Sequence, residues 1–428
     1  MSPILLKGGR LICPASGRDE TGDLLIAGGR IQAVGGRIKA GKAKVIDCAG
    51  KVVTPGLIDL HVHLREPGQE YKETIGSGTA AAAAGGFTAV ACMPNTKPVN
   101  DCRAVTDMIL EKAKAAANAR VYPVGAITLG LSGEALSEMA ELKEAGCLAV
   151  SDDGNPVADS RLLRRALEYA RGFDLPVICH SEDKRLSAGG VMHEGPFATR
   201  LGLSGIPAEA EVVGVERDLA LALLTGAKVH IAHVSCAGSV EAIRRAKKKG
   251  ARVSCEVTPH NLLLIDEDVG VYDTHGKMNP PLRSAADRRA VRKALAEGVI
   301  DFIASDHAPH SILEKEVEFD LAAFGVIGLE TSLGAALALV AEGVLSLPQA
   351  VERMSAAPAK VFNLPGGRLE KGGPADVTVI DTDLTWQVAP DKFKSLSRNT
   401  PFAGRSFPGR AVMTICAGRI THRIKGRI

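Results

Sequence analysis

The sequence predicts an α/β protein, a distorted (β/α)8 TIM-type barrel with a small β-sandwich lobe built from both termini. Between about residues 52 and 360, short runs rich in Val and Ile alternate with longer Ala-, Leu-, Glu-, Lys- and Arg-rich stretches at helical spacing. This alternation is typical of parallel βα units. Eight such units can be counted, which is the number that closes a barrel. Short β segments separated by glycine pairs stand at both ends of the chain.

The predicted elements of the barrel follow one another in regular order. The eight candidate strands cover residues 52–64, 88–93, 121–128, 147–151, 176–180, 228–234, 252–257 and 300–305. The segments between them have helical periodicity and predict helices over residues 74–84, 103–117, 134–145, 160–171, 209–225, 239–249 and 285–296. An open, doubly wound sheet is the alternative arrangement of the same units.

The two ends of the chain differ from this pattern. They carry short β segments such as residues 23–27 and 375–380. Because a closed barrel brings its ends together, we expect both termini to share one lobe. The predicted domains are a barrel over residues 55–365 and a composite β-sandwich over residues 1–54 and 366–428.

Composition narrows the class of protein. With 46% hydrophobic but only 4% aromatic residues, the core must consist mainly of Ala, Val, Leu and Ile. A net charge of +3 gives no electrostatic case for nucleic-acid binding. Nine cysteines without a pairing pattern indicate reduced thiols and a cytoplasmic protein. We expect neither a signal peptide nor a membrane-spanning helix, because the apolar windows are short and interrupted by charge.

Two histidines separated by one residue, His61 and His63, stand near the end of the first apolar run. Successive side chains of a strand alternate between its faces, so these two point the same way. Similar positions after other runs hold Asp152, Asp153, His180, His233, Asp306 and His307. Because a parallel barrel collects its strand ends around one mouth, and these side chains suit zinc, the sequence predicts a metal site. A single buried histidine is more often structural, as we expect for His230.

Seven short motifs run in order along nearly the whole chain. They are His61-Val-His63-Leu-Arg65-Glu-Pro-Gly, Met93-Pro-Asn95-Thr, Ser151-Asp-Asp153-Gly, His180-Ser-Glu, His233-Val-Ser, Lys277-Met-Asn279-Pro-Pro-Leu-Arg and Ser305-Asp306-His-Ala-Pro-His310. Together they closely resemble the motifs of dihydroorotases of the long bacterial type (class I), in the amidohydrolase superfamily.

The resemblance implies two Zn²⁺ ions. Their ligands would be His61, His63 and Asp306 for one ion, His180 and His233 for the other, and Asp153 together with a hydroxide as the bridge. The family motif thereby selects Asp153 over Asp152 and Asp306 over His307, which the residues alone leave open. Hydantoinases and allantoinases generally bridge their metals through a carboxylated lysine on the fourth strand. No lysine lies between residues 146 and 159, which counts against those two enzymes.

The resemblance also implies a reaction, the reversible cyclisation of N-carbamoyl-L-aspartate to L-dihydroorotate in pyrimidine (UMP) biosynthesis. Asp306 would be the catalytic proton shuttle. In hydrolysis it would take a proton from the hydroxide and give it to the departing amide nitrogen. Arg65 follows His63 by two residues, so strand alternation predicts that its guanidinium reaches the mouth and binds a carboxylate. Pairing of Arg65 with Glu66 or Glu73 is the alternative.

Further substrate contacts come from the resemblance. The implied set is His63, Arg65, Asn95, Asn279, His310, Phe324 and Gly325. Asn95 and Asn279 could instead cap turns beside their prolines, and His310 could be a surface residue. Residues 309–325 could form either a surface turn or a mobile lid over the site.

Two other functions stay open from the sequence. One is a hydantoinase-like or allantoinase-like cyclic amidohydrolase, which the carboxylate-binding Arg65 disfavours. The other is a catalytically silent subunit that scaffolds aspartate transcarbamoylase, a class that typically loses metal ligands, whereas this chain keeps all six. We expect a homo-oligomer, and a complex with aspartate transcarbamoylase is a possible assembly.

Overall fold

The structure is a computed structural model and describes residues 2–428. It begins with the strands β1 (Ile4–Cys13), β2 (Arg18–Ala27), β3 (Arg30–Val34), β4 (Lys44–Asp47) and β5 (Val52–Pro55). Strands β1, β2 and β3 pair antiparallel in succession. Gly17, whose φ of 66° favours glycine, lies between β1 and β2. Strand β1 pairs in parallel with β4 near its start and with β5 near its end.

Parallel strands make up the centre of the chain. The barrel strands are β6 (Leu57–Val62), β7 (Phe87–Cys92), β8 (Arg120–Gly125), β9 (Ala149–Ser151), β10 (Val177–Cys179), β13 (Val229–Ile231), β14 (Val253–Val257) and β15 (Phe302–Ile303). Between β10 and β13 the chain forms a separate two-stranded sheet, β11 (Met192–His193) and β12 (Gly205–Ile206). The eight strands other than β11 and β12 pair in chain order from β6 to β15. The backbone N–H of His63 donates to the carbonyl of His307 at 2.8 Å and joins the two ends of the sheet. The predicted barrel is therefore confirmed, and the doubly wound alternative, which needs a reversal of strand order, is wrong.

Helices connect the strands and cover the barrel. They are α1 (Ile75–Gly85), α2 (Arg103–Ala116), α3 (Met139–Ala145), α4 (Ser160–Gly172), α5 (Pro196–Leu201), α6 (Ala208–Thr225), α7 (Ala237–Lys248), α8 (Pro259–Leu263), α9 (Ala285–Glu297), α10 (Ile312–Lys315), α11 (Ser332–Ala341), α12 (Leu347–Val351) and α13 (Ala357–Val361). A π-helical segment, Glu352–Ala356, joins α12 to α13.

The helix predicted over residues 134–145 is too long at its start. Its first residues run beside the segment after β8 instead, where Leu129 N donates to Ala135 O at 2.9 Å and Ser137 N to Ile127 O at 3.0 Å. Because these backbone groups are already paired across the loop, the helix begins only at Met139.

The C-terminal strands β16 (Val377–Gln387), β17 (Ser406–Cys416) and β18 (Arg419–Arg423) complete the sheet that β1 to β5 begin. Strand β16 pairs antiparallel with both β17 and β5, so the two termini share one eight-stranded sheet. The prediction that both termini build one small β lobe is confirmed. The strand predicted over residues 52–64 divides at Gly56, with β5 in the lobe and β6 in the barrel. The predicted domain limits at residues 54 and 366 remain a prediction.

The interior is aliphatic, as the composition predicts. Side chains such as Ile58, Leu60, Val124 and Ile178 belong to one buried apolar cluster. All nine cysteines are free, and eight of them are buried. Within residues 2–428, no helix combines the length and the apolar character needed to cross a lipid bilayer.

Candidate metal centre and substrate pocket

Four of the predicted metal ligands meet at the carboxyl end of the barrel. Nε2 of His61 lies 3.5 Å from Oδ1 of Asp153 and 3.5 Å from Oδ1 of Asp306. Nε2 of His63 lies 3.1 Å from the same oxygen of Asp306. One ligand atom from each of His61, His63 and Asp153 falls within 4.8 Å of the others, and all three residues are buried.

The other two predicted ligands form a pair beside this group. Nδ1 of His180 lies 2.8 Å from Nε2 of His233. The ring centroid of His233 is 5.3 Å from that of His61. The structure thus brings all six predicted ligands into one neighbourhood, although they come from strand ends far apart in the sequence.

Backbone turns after the strands aim several of these side chains. Asp153, His233 and Asp306 have φ values of 48°, 35° and 48°, and Arg65 has 61°. Residues other than glycine rarely adopt this left-handed region, and such strain concentrates at functional sites. The barrel therefore ends its strands abruptly at the positions where side chains must point into the mouth.

Three of the four imidazoles are held by a polar side chain at one ring nitrogen. The contacts are His61 Nδ1 with Glu256 Oε1 at 2.6 Å, His63 Nδ1 with Asn95 Oδ1 at 3.0 Å, and His180 Nε2 with Glu182 Oε2 at 3.0 Å. In each case the other nitrogen faces the cluster. Nε2 of His61 is buried and, among the described residues, has no hydrogen-bond partner.

The buried imidazoles and carboxylates of the cluster shift one another's pKa values. Burial opposes ionisation of Asp153 and Asp306, but His63 and His61 hold the pKa of both carboxyls well below their ordinary range. Burial and the neighbouring His180 lower the pKa of His233 to about 3, so its ring is neutral at physiological pH. Carboxylate oxygen and imidazole nitrogen are donors that a divalent transition metal takes.

These observations define a candidate metal site. The orphaned Nε2 of His61 lies between two carboxylate oxygens, where a metal would satisfy all three atoms. Imidazole and carboxylate groups are donors of the type that zinc takes.

Asp152 and His307, the alternatives to the predicted metal ligands Asp153 and Asp306, contact other protein groups instead of the cluster. Asp152 accepts hydrogen bonds from the backbone N–H groups of Ile127 at 2.8 Å and Thr128 at 2.9 Å. Nδ1 of His307 accepts from the N–H of Gly328 at 3.2 Å, and its Nε2 faces Glu73 at 3.4 Å. Both side chains therefore hold loops, which agrees with the choice that the family motif makes.

A cavity of about 510 Å³ opens above the cluster. Every predicted substrate contact lines it, namely His63, Arg65, Asn95, Asn279, His310, Phe324 and Gly325. Pockets of this size hold small ligands.

Arg65 is the buried cation of this cavity. Its side chain is 7% exposed, and its Nε donates to Pro309 O at 3.1 Å. Glu66 pairs instead with Lys112, at 2.9 Å. Within residues 2–428, Arg65 forms no salt bridge, so the alternative in which Glu66 or Glu73 neutralises it is wrong. Strand alternation does not place Arg65, since β6 ends at Val62.

Asn279 and His310 also contact protein groups in the cavity wall. Nδ2 of Asn279 donates to Glu182 Oε2 at 2.9 Å. Nε2 of His310 lies 2.8 Å from the carbonyl oxygen of Phe324. Gly325 is needed where it stands, because its φ is 132° and an added Cβ would lie 2.8 Å from the Cβ of Ala308.

Two buried lysines hold the loop over the cavity. Lys277 begins one of the seven motifs but had no predicted role, and Lys315 was not singled out from the sequence. Nζ of Lys277 donates to the carbonyls of Phe319 at 2.7 Å and Asp320 at 3.1 Å. Nζ of Lys315 donates to three carbonyls, those of Lys277, Ala323 and Gly325. The segment over residues 309–325 is therefore tied to the barrel rather than a free surface turn.

Glu182 and Glu256, which hold the rings of His180 and His61, were not predicted from the sequence as site residues. Glu182 stands in the same short motif as His180, so its spacing could have drawn attention to it. Glu256 is a carboxylate inside the β run of residues 252–257, and an acidic residue in a buried parallel strand needs a partner.

The amino-acid sequence is similar to known protein families over most of its length. A family model described as dihydro-orotase-like matches residues 50–239, and one described as amidohydrolase family matches residues 209–422. A protein named dihydroorotase from Anaeromyxobacter dehalogenans is 57% identical over 426 residues, which cover 99% of this chain and 98% of that protein. The dihydroorotase of Syntrophotalea carbinolica is 56% identical over 421 residues, with coverage of 98% and 99%.

Solved structures share the fold at lower identity. L-Hydantoinase (dihydropyrimidinase) from Arthrobacter aurescens has a TM-score of 0.87 and 26% identity, and the match covers 99% of this chain and 96% of that one. Dihydropyrimidinase from Brevibacillus agri has a TM-score of 0.85 and 24% identity, with coverage of 98% and 95%. The second similarity concerns the fold alone. From the identities over nearly its whole length, this chain belongs to the dihydroorotase family of the amidohydrolase superfamily.

Proposed function

We propose that this protein is a dihydroorotase, which cyclises N-carbamoyl-L-aspartate to L-dihydroorotate and catalyses the reverse hydrolysis in pyrimidine biosynthesis. The observation that carries this proposal is that one cavity combines a candidate metal site with a carboxylate-binding group. The cluster of imidazoles and carboxylates lines this cavity, and so does the buried guanidinium of Arg65, which forms no salt bridge within residues 2–428. Both forms of the substrate carry a carboxylate that this guanidinium can bind.

The metal is proposed to be zinc, with two ions. His61, His63 and Asp306 would hold one ion, His180 and His233 the other, and Asp153 would bridge them. Bound at this cluster, zinc would activate water at neutral pH and polarise the carbonyl that is attacked. The support is the donor set and the orphaned His61 nitrogen described above.

Asp306 is the residue best placed to move a proton. Its Oδ1 approaches the imidazoles of His61 and His63, and these neighbours lower the pKa of its carboxyl although burial opposes that shift. In hydrolysis, this carboxylate takes a proton from the attacking water and delivers it to the amide nitrogen as the ring opens. In cyclisation the same carboxylate takes the proton from the attacking nitrogen and gives it to the departing hydroxyl oxygen, which leaves as water.

Arg65 and its neighbours orient the substrate. The guanidinium would bind the carboxylate beside the ring nitrogen. His310 lies next to it, with its Nε2 3.4 Å from Nη2 of Arg65, and Asn95 and Asn279 would add contacts from the same cavity. The backbone of Phe324 and Gly325 would close over the ring, held by the loop that Lys315 ties down. A neutral cyclic ureide, the substrate type of a hydantoinase, would leave the charge of Arg65 buried and unpaired.

The oligomeric state, the protein partner and the cellular location are proposed from the sequence. A homo-oligomer, a complex with aspartate transcarbamoylase and a cytoplasmic location are predictions. The silent-scaffold alternative is disfavoured because the six ligand side chains converge at one site.

A substrate panel tests the proposed function. The purified protein, loaded with zinc, is assayed with L-dihydroorotate, N-carbamoyl-L-aspartate, hydantoin and allantoin. We expect turnover of the first two and none of the last two. Hydrolysis of hydantoin or allantoin with no action on dihydroorotate would replace this proposal with the ureide hydrolase, and no turnover of any compound would favour the scaffold.

A further inference from the structure

We propose that Glu256 is a positioning residue that fixes the ring of His61 for metal binding, and that His230 and Ser254 hold Glu256 in place. This inference rests on the proposed function, since it concerns how the same site keeps its metal. It adds three residues to the site, none of which lines the cavity.

The geometry is a continuous chain of hydrogen bonds down the barrel interior. Oε1 of Glu256 lies 2.6 Å from Nδ1 of His61, and its Oε2 lies 3.1 Å from Nε2 of His230. Nδ1 of His230 lies 2.8 Å from Oγ of Ser254. Each carboxylate oxygen thus meets one imidazole nitrogen, so neither is left unsatisfied.

The donors and acceptors along this chain fit one arrangement. A carboxylate can only accept, so the N–H groups on Nδ1 of His61 and Nε2 of His230 must donate to it. Nδ1 of His230, on the other side of the ring, meets the hydroxyl of Ser254, which can donate to it. For His61, an N–H fixed on Nδ1 leaves Nε2, the orphaned nitrogen in the cluster, as the atom that can bind a metal.

Glu256 and His230 are shielded from water, whereas Ser254 at the end of the chain is partly exposed. Glu256 and His230 are each 1% exposed. The ring of His230 stacks on Phe302, with centroids 5.0 Å apart and planes within 3°. Its other neighbour, Phe362, lies edge-on at 5.3 Å. Because both aromatic rings fix the imidazole of His230, Glu256 has a rigid support on the side away from the metal.

The charge of Glu256 also matters for His61. An ionised carboxylate at the remote nitrogen raises the electron density of a histidine ligand and strengthens its bond to metal. Of the four imidazoles, His61 and His180 have a carboxylate at this position and His63 has an amide. Losing such a partner typically costs about 10- to 100-fold in metal affinity.

The test measures metal affinity rather than turnover. Zinc binding to the metal-free full-length protein is followed by competition with a chromogenic chelator for the wild type, Glu256→Gln and His230→Phe. We expect Glu256→Gln to weaken binding about 10- to 100-fold, because the neutral amide gives up the charge and can present N–H to His61. We expect His230→Phe, which keeps the stacked ring but removes the donor to Glu256, to weaken it less.

The matched control is Asp218→Asn. Asp218 is another buried carboxylate, 1% exposed, but it binds Ser181 and Arg217 and touches no imidazole of the cluster. We expect this variant to keep the zinc affinity of the wild type. Circular dichroism and gel filtration establish that each variant is folded.

A second measurement needs no variant of Glu256 and so remains available if that variant fails to fold. In zinc-loaded wild-type protein labelled with ¹⁵N-histidine, the Nδ1–H of His61 should give a resonance that exchanges slowly with water. Its loss in His61→Asn assigns the signal. Absence of any such resonance would overturn the inference, as would wild-type zinc affinity in folded Glu256→Gln.

These outcomes separate the inference from the proposed function. Zinc affinity and the nitrogen resonance involve no substrate. A protein that binds zinc through the supported His61 but turns over neither substrate would keep this inference and refute the dihydroorotase. A wild type that binds no zinc would overturn the inference together with the metal proposal.

Discussion

The side-chain amide of Asn95 donates a 2.6 Å hydrogen bond to Oδ2 of Asp153, while its carbonyl oxygen lies 3.0 Å from Nδ1 of His63. Both ends of this amide therefore serve proposed metal ligands. We predict that Asn95→Ala lowers zinc affinity about 10-fold, because His63 and Asp153 lose the group that orients them. Competition with a chelator measures the change.

The control for this variant is Asn118→Ala, which makes the same chemical change at an amide bound to Gly76 and Thr79. We expect it to bind zinc as the wild type does. If Asn95→Ala kept normal zinc affinity and only raised KM, Asn95 would be a substrate contact alone, as the family resemblance implied.

Replacement of Arg65 tests carboxylate recognition. Removing the guanidinium leaves the substrate carboxylate without its partner, so Arg65→Met should raise KM for N-carbamoyl-L-aspartate about 100-fold, from a loss of about 3 kcal/mol. Zinc content should stay unchanged. Arg171→Met, at a guanidinium that binds only the carbonyl of Thr225, is the control. An unaltered KM in Arg65→Met would exclude Arg65 from substrate binding.

Asp306 carries the proposed proton transfer. Asp306→Ala removes both the shuttle and a ligand, and we predict that it abolishes measurable turnover. Asp306→Asn keeps the shape and one metal-binding oxygen, so it should retain most of the zinc while kcat falls about 10²- to 10⁴-fold. Steady-state kinetics and metal analysis on the same samples give both quantities. Full activity in either variant refutes the assignment.

Metal removal should lower stability as well as activity. A ligand that binds only the folded state stabilises it by mass action, by about 2.7 kcal/mol when its free concentration is 100 times Kd. We therefore predict that dialysis against a chelator lowers the Tm and that added zinc restores it. Calcium at the same concentration serves as the control, since it prefers oxygen ligands. Equal Tm values with and without zinc would be incompatible with a metal held by the cluster.

Lys315 should make stability depend on pH. Burial and the nearby charge of Lys277 lower its pKa from the ordinary 10.5 to about 7. Between about pH 7 and about pH 10 the unfolded chain then binds more protons at this residue than the folded protein, so its contribution to stability rises with pH. The free energy of unfolding in urea, compared between the wild type and Lys315→Met at about pH 7 and about pH 10, measures this contribution.

The wild type should gain stability relative to Lys315→Met as the pH rises through this window. A constant difference between the two proteins would mean that the ammonium of Lys315 is not shielded from water. The comparison cancels groups that titrate equally in both proteins, such as the cysteines.

The sequence predicts the barrel because strand and helix periodicities are local. Alternation of apolar runs and amphipathic stretches defined the order of the eight barrel strands but gave no sign of the small pair β11 and β12. At Gly56, one predicted run divides between two sheets. The choice between Asp152 and Asp153 is different. Both follow β9, and only the left-handed backbone at Asp153, with φ of 48°, sends one toward the mouth and leaves the other with Thr128.

Some features of the site depend on contacts between distant segments, which periodicity does not report. Arg65 reaches the cavity through a left-handed turn after the strand, so the alternation rule led to the correct place for a wrong reason. Glu256 meets His61 across 195 positions of sequence, and Lys315 meets Lys277 across 38. The need for these partners follows from burial, but their identity follows only from the closed barrel.

The central claim is that this cluster holds zinc and uses it to interconvert a carbamoyl amino acid and its cyclic amide. Its most direct test is cyclisation of N-carbamoyl-L-aspartate by metal-free protein as zinc is added back, with bound zinc quantified at every step. The account predicts no turnover without zinc and a rate that rises with occupancy until the site is full. A rate independent of bound zinc, or no formation of L-dihydroorotate at full occupancy, would contradict it.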